Sequence, residues 1–146
     1  MRLTPAQRAA LKGMYDGRCA YCGCELGDRW CADHLEPVIR VPVADGVGAT
    51  LRLLHPERDT LDNFRPSCSP CNIDKSRMTL EAWRTWLGTR LEALKKQPGF
   101  RLLAAHGLVA ATGAPVVFYF ERIEAEAAAA ATLGREHVAV AEARLG

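Results

Sequence analysis

The chain has 146 residues, 49% of them apolar and 25% charged, the profile of a folded globular protein and not of a disordered or fibrous one. No run approaches the roughly 18 consecutive apolar residues of a membrane helix, so no membrane partner is expected. The opening MRLTPAQRAALKG lacks the apolar stretch of an export signal, so cytoplasmic residence is expected.

Net charge is only +2, but it is unevenly spread. Residues 1–59 hold 8 basic and 8 acidic side chains, residues 60–101 hold 8 and 4, and residues 102–146 hold 3 and 5. The middle segment, at 8 − 4 = +4, is where a polyanion-facing surface is expected.

In chain order, Thr4 caps a first short helix, with Pro5 at its first position and Gln7 completing a capping box. Residues 18–30 are irregular and cysteine-rich. Residues 31–43 read as extended, 44–50 as a loop, 51–54 as a second short strand and 55–60 as a loop again. From Thr79 a helix is indicated, because Leu80, Trp83, Leu87, Leu91 and Leu94 share one helical face. That face makes Trp83 a core residue. Pro98-Gly99 closes this helix, 100–110 suits another short one, VVFYF at 116–120 has strand composition, and an alanine-rich helix follows.

Six cysteines stand at 19, 22, 24, 31, 68 and 71. Without an export signal they point to metal or redox chemistry, not to disulfides. Cys19-x-x-Cys22 and Cys68-x-x-Cys71 form two CxxC pairs, each placing two thiolates on one side of a tight turn, so together they can enclose a tetrahedral zinc ion. Such an ion supplies folding energy that a small core lacks. Cys24 makes the first pair CxxCxC and is an alternative ligand to Cys22; Cys31 reads as a small buried residue. A redox CxxC would follow a strand in a βαβ pattern, which is not seen.

Asp33-His34, Asn63 and Asn72 lie between or beside these pairs. Singly, each has an ordinary reading: a structural histidine, a turn residue, a helix start. Jointly, CAYC (19–22), ADH (32–34), LDNF (61–64) and CSPCNIDKS (68–76) resemble the HNH endonucleases of the ββα-metal superfamily in their zinc-bound subclass. The resemblance covers about residues 15–80, within a nuclease domain of 1–97. Residues 98–146 form an extension of unassigned role.

The resemblance implies an α+β fold, a ββα-metal (His-Me finger) motif stapled by the four-cysteine zinc, with flanking helices and a C-terminal strand-helix extension. It implies that His34 is the general base, Asp33 and Asn72 the ligands of a catalytic Mg²⁺ or Mn²⁺, and Asn63 a brace for the loop that orients His34. It implies one-metal hydrolysis of DNA leaving 5′-phosphate and 3′-hydroxyl ends. An imidazole can accept a proton near neutral pH, and carboxylate and amide oxygens are hard donors that suit Mg²⁺ or Mn²⁺. Asparagine at 72 stands where the family commonly has histidine.

Lys75 and Arg77, on the helix after Cys71, are expected to meet DNA phosphates, with Arg65 and Arg40 as further contacts. No base-reading module is present, so low sequence specificity is expected. The W-x-x-W-L helix and the FYFE segment look like phage or prophage members of the family, which implies a bacterial host cell and leaves a packaging or other protein partner open. His55, His106 and His137 fall outside the motif. The competing reading is a zinc-stabilised nucleic-acid- or protein-binding module with a dormant nuclease centre.

Overall fold

The computed structural model describes residues 1–44 and 49–145. Helix α1 (Pro5–Gly13) opens as its sequence dictates: Thr4 accepts from the Gln7 backbone, and the Gln7 side chain returns the bond to Thr4. The chain then forms a knuckle over 17–26. It is closed by backbone hydrogen bonds from Cys19 to Cys24, from Gly23 to Cys19 and from Leu26 to Gly17.

Strand β1 (Trp30–His34) pairs antiparallel with the later β4 (Phe64–Cys68), setting Asp33 opposite Arg65 and His34 opposite Phe64. Between them the chain makes a hairpin from β2 (Ile39–Ala44) and β3 (Ala49–Leu54). The extended stretch expected over 31–43 is thus divided, with residues 35–38 turning the chain from one sheet into the other. Of the loop expected at 44–50, residues 45–48 lie outside the described residues. Two 3₁₀ turns, Pro56–Arg58 and Leu61–Asn63, lead back to β4.

Helix α2 (Ser69–Lys75) follows β4 directly and packs on both β1 and β4. Helix α3 (Leu80–Lys95) is capped by Thr79. Pro98 does not close it, but takes the first position of the next helix, α4 (Pro98–Ala105), as its missing N–H allows.

The strand expected at 116–120 is not formed. Residues 116–118 are irregular, and α5 (Tyr119–Leu145) begins at Tyr119. The Phe118 N–H donates to the Glu121 carboxylate, which starts the helix in the manner of a capping box. The aromatic residues that suggested a strand instead fill the core.

That core joins distant parts of the chain. Tyr21, Trp83, Phe118 and Phe120 are all buried together. Trp83 stacks on Phe118 at 4.9 Å, and Tyr21 meets Trp83 edge-on at 5.1 Å, geometries that add to area burial. Arg84 ties the late segment to α3 by donating to Glu121 at 2.6 Å and to the Val116 carbonyl. Part of the extension beyond residue 97 therefore completes the core around the cysteine knuckle. No described helix is long and apolar enough to cross a membrane.

Candidate metal centre and adjoining cleft

The Sγ atoms of Cys19, Cys22, Cys68 and Cys71 all lie within 4.8 Å of one another. None of the six cysteines forms a disulfide. A tetrahedral zinc ion with Zn–S bonds near 2.3 Å holds its sulfurs about 3.8 Å apart. The Cys22 and Cys68 sulfurs stand 3.8 Å apart, so the cluster has the size such an ion requires.

The knuckle supplies two of the thiols and the β4–α2 junction the other two. The Ala20 N–H donates to the Pro66 carbonyl at 2.8 Å, and the Cys68 N–H donates to Cys19 Sγ at 3.3 Å, so the two halves are also joined through the backbone. A hydrogen bond with the Cys71 thiol holds Cys19 down to about 4, and the same bond lifts Cys71 above the usual thiol range.

Cys24 lies beside the cluster and outside it. Burial, then its hydrogen bond to Cys22, pushes its thiol up to about 12. Cys31 is half-buried in β1.

Next to this clamp opens a cleft of about 610 Å³ lined by His34 and Asp33 from the end of β1 and by Asn72 from α2. Arg2, Arg8, Arg40 and Arg77 line the same cleft. Arg8 lies over the Trp30 ring, 4.3 Å from its centroid.

Strand alternation sets the two β1 residues differently. The His34 ring packs on Phe64, with centroids 4.2 Å apart, and its Nε2 lies 2.9 Å from Asp59 Oδ1. The Asp33 carboxylate, only 8% exposed, accepts at Oδ2 from the Tyr21 hydroxyl at 2.5 Å and from Lys75 Nζ at 3.0 Å. Asp33 Oδ1 has no hydrogen bond among the described residues. Burial, followed by the Asp33 charge, drives the Tyr21 phenol well above its ordinary range, so it remains a donor.

Asn63 is fully engaged with backbone: Oδ1 accepts from the Glu36 N–H, and Nδ2 donates to the carbonyls of Glu36 and Arg58, all at 2.8 Å. It thereby joins the turn after β1 to the loop before β4.

Two residues expected on phosphate are placed elsewhere. Lys75 has no exposed surface; its Nζ is consumed by Asp33 and by the His34 carbonyl at 2.6 Å. Arg65 runs toward the Phe120 ring and donates to the carbonyls of Asp62 and Phe64, and it is not among the residues lining the cleft. Arg77 is exposed at the cleft, and Arg40 joins it.

His55 bonds Glu57 and lies off the cleft, His106 ends α4, and the His137 side chain lies outside the described residues. The sequence reading missed Asp59, Arg2 and Arg8. Only Asp59 had a signal, a carboxylate within a turn-forming segment, and that signal is common to many loops.

No family model, no curated protein and no solved structure matches the chain.

Proposed function

We propose that this protein is a divalent-metal-dependent DNA endonuclease of the HNH type. On this reading, β1, β4 and α2 form its ββα-metal motif, and the four-cysteine cluster holds a structural zinc ion. The observation that carries the reading is the convergence of His34, Asp33 and Asn72 on one arginine-lined cleft, although they come from stretches 38 residues apart in the chain (72 − 34 = 38).

His34 takes the proton of the attacking water. Its Nε2 is engaged by Asp59, which leaves Nδ1 as the accepting nitrogen. The water oxygen bonds to phosphorus, the bond to the 3′ oxygen breaks, and that oxygen takes up a proton from solvent. The products are a 5′-phosphate and a 3′-hydroxyl.

Asp33, through its free Oδ1, and Asn72 would hold a catalytic Mg²⁺ or Mn²⁺, a hard ion suited to oxygen donors. Such an ion, when bound, supplies charge stabilisation at the phosphoryl oxygens. Arg2, Arg8, Arg40 and Arg77 grip the flanking phosphates and carry no sequence information, so cleavage is of low specificity.

The test is cleavage of supercoiled plasmid by zinc-loaded protein. Mg²⁺ or Mn²⁺ should support nicking or linearisation, EDTA should abolish it, and His34→Ala should lose it while keeping zinc and fold. Binding without cleavage across a range of divalent metals would instead favour a nucleic-acid-binding module with a dormant centre. Cleavage by His34→Ala at the parental rate would refute His34 as base.

A further inference from the structure

The loop carrying Asp59 is held from both sides. His55 takes a left-handed conformation (φ 62°) that turns the chain out of β3 into the Pro56–Arg58 turn, and the Asp59 N–H donates to the Pro56 carbonyl at 3.1 Å. On the other side, Asn63 clamps the neighbouring Arg58 carbonyl. These local hydrogen bonds fix the backbone at Asp59 independently of His34.

From that position Oδ1 reaches His34 Nε2 at 2.9 Å. Both side chains are largely shielded, at 17% exposure for His34 and 14% for Asp59. Phe64 covers one face of the imidazole, and Lys75 holds the His34 backbone carbonyl. His34 lines the cleft, and Asp59 is not among its lining residues. The second oxygen, Oδ2, pairs with the amino group of Met1.

We propose that Asp59 is the positioning residue for the catalytic histidine: it holds Nε2–H, turns Nδ1 toward the cleft, and steadies the imidazolium formed when His34 takes a proton from water. A ring pinned at one nitrogen has one orientation open to it, and misplacement of a base by about 1 Å can cost roughly 10²-fold in rate. A carboxylate hydrogen-bonded to a ring N–H also makes a charge-assisted contact once the ring is protonated. The role of Asn63 then extends through the loop: by fixing Arg58 it fixes Asp59. This inference rests on the nuclease reading above.

The experiment compares parent, Asp59→Ala, Asp59→Asn, His34→Ala and the His34→Ala/Asp59→Ala double variant, all zinc-loaded, in plasmid cleavage with Mn²⁺. Asp59→Ala should lower kcat roughly 10- to 100-fold with KM for DNA within about twofold. Asp59→Asn, which keeps an acceptor and loses the charge, should fall between parent and Asp59→Ala. The double variant should be no slower than His34→Ala alone, because a residue that acts through His34 has nothing left to position.

In parallel, proton NMR of the parent should show an exchange-protected downfield ring N–H assigned to His34, absent in Asp59→Ala. A simply structural loss would lower zinc content and melting temperature without selecting this proton. Parental kcat in Asp59→Ala, an additional loss in the double variant, or persistence of the protected proton without Asp59 would overturn the proposal while leaving the nuclease reading intact. An inactive parent would overturn the nuclease reading, and the role assigned to Asp59 with it.

Discussion

Lys75 Nζ and Asp33 Oδ2 form an ion pair of 3.0 Å inside the protein, and the lysine has no exposed surface at all. The pair joins the helix that carries Cys71 to the strand that carries His34. A buried charge that loses its partner is left uncompensated, typically at 3–5 kcal/mol. Lys75→Met should therefore destabilise the zinc-loaded protein by about 3–5 kcal/mol in urea unfolding. A loss under roughly 1 kcal/mol, the scale of an exposed charge, coupled to weaker DNA binding would return Lys75 to the phosphate-contacting role its sequence position suggested.

The cysteine cluster should bind one zinc ion per chain and depend on Cys22, not on Cys24. Cys22→Ser should release zinc to a chelator far faster than the parent, and Cys24→Ser should retain it, as measured by a colorimetric zinc assay. Full removal of the ion should collapse the near-UV circular dichroism, because the knuckle that presents Tyr21 to Trp83 and Phe118 is tied to β4 through that cluster. The opposite pattern between the two serine variants would exchange the ligand assignment.

Gly23 sits in the knuckle at φ +75°, and a Cβ added there would come within 2.8 Å of the Tyr119 ring. Both the backbone conformation and the space demand glycine. Gly23→Ala should cost about 1–3 kcal/mol, the range for a strained left-handed residue, and should lower the melting temperature with zinc present. An unchanged melting temperature would show that α5 does not pack on the knuckle as described.

Glu121 should make the late segment sensitive to acid. Burial alone would push its carboxyl up; hydrogen bonds from Arg84 and the Phe118 N–H outweigh burial and hold it below the ordinary range. The sign follows from a depressed folded-state value. The stability it contributes is complete above the unfolded-state pKa of about 4.3 and is lost as pH falls through the lower folded-state value. Parent and Glu121→Gln should differ in urea midpoint near neutrality and converge in that acidic window. The comparison is read over the pH range in which both proteins keep their zinc, where the difference should narrow as pH falls. A difference constant with pH would remove Glu121 as its source.

The elements and residues legible in the sequence were those set by local chemistry. Thr4, Pro5 and Gln7 announce α1, Thr79 announces α3, and the two CxxC turns announce their own cluster because the spacing of each pair is itself the geometry. The strand expected at 116–120 failed because β-branched and aromatic content records burial as much as strand pairing. Phe118 and Phe120 are buried against Tyr21 and Trp83, not paired in a sheet.

Lys75 was misplaced for a related reason. Its position on the helix after Cys71 suggests exposure, and only the pairing of β1 with β4 puts Asp33 within its reach. Asp59 became visible through the same pairing, which returns the chain to His34 after the hairpin.

A crystal structure of zinc-loaded protein soaked in Mn²⁺, read by anomalous scattering at both metal edges, tests the centre of this account. It should show zinc among the sulfurs of Cys19, Cys22, Cys68 and Cys71, and manganese bridged by Asp33 and Asn72 within reach of His34 Nδ1. Zinc in the cysteine cluster with no manganese in the His34 cleft, at concentrations that saturate any cleavage activity, would contradict it.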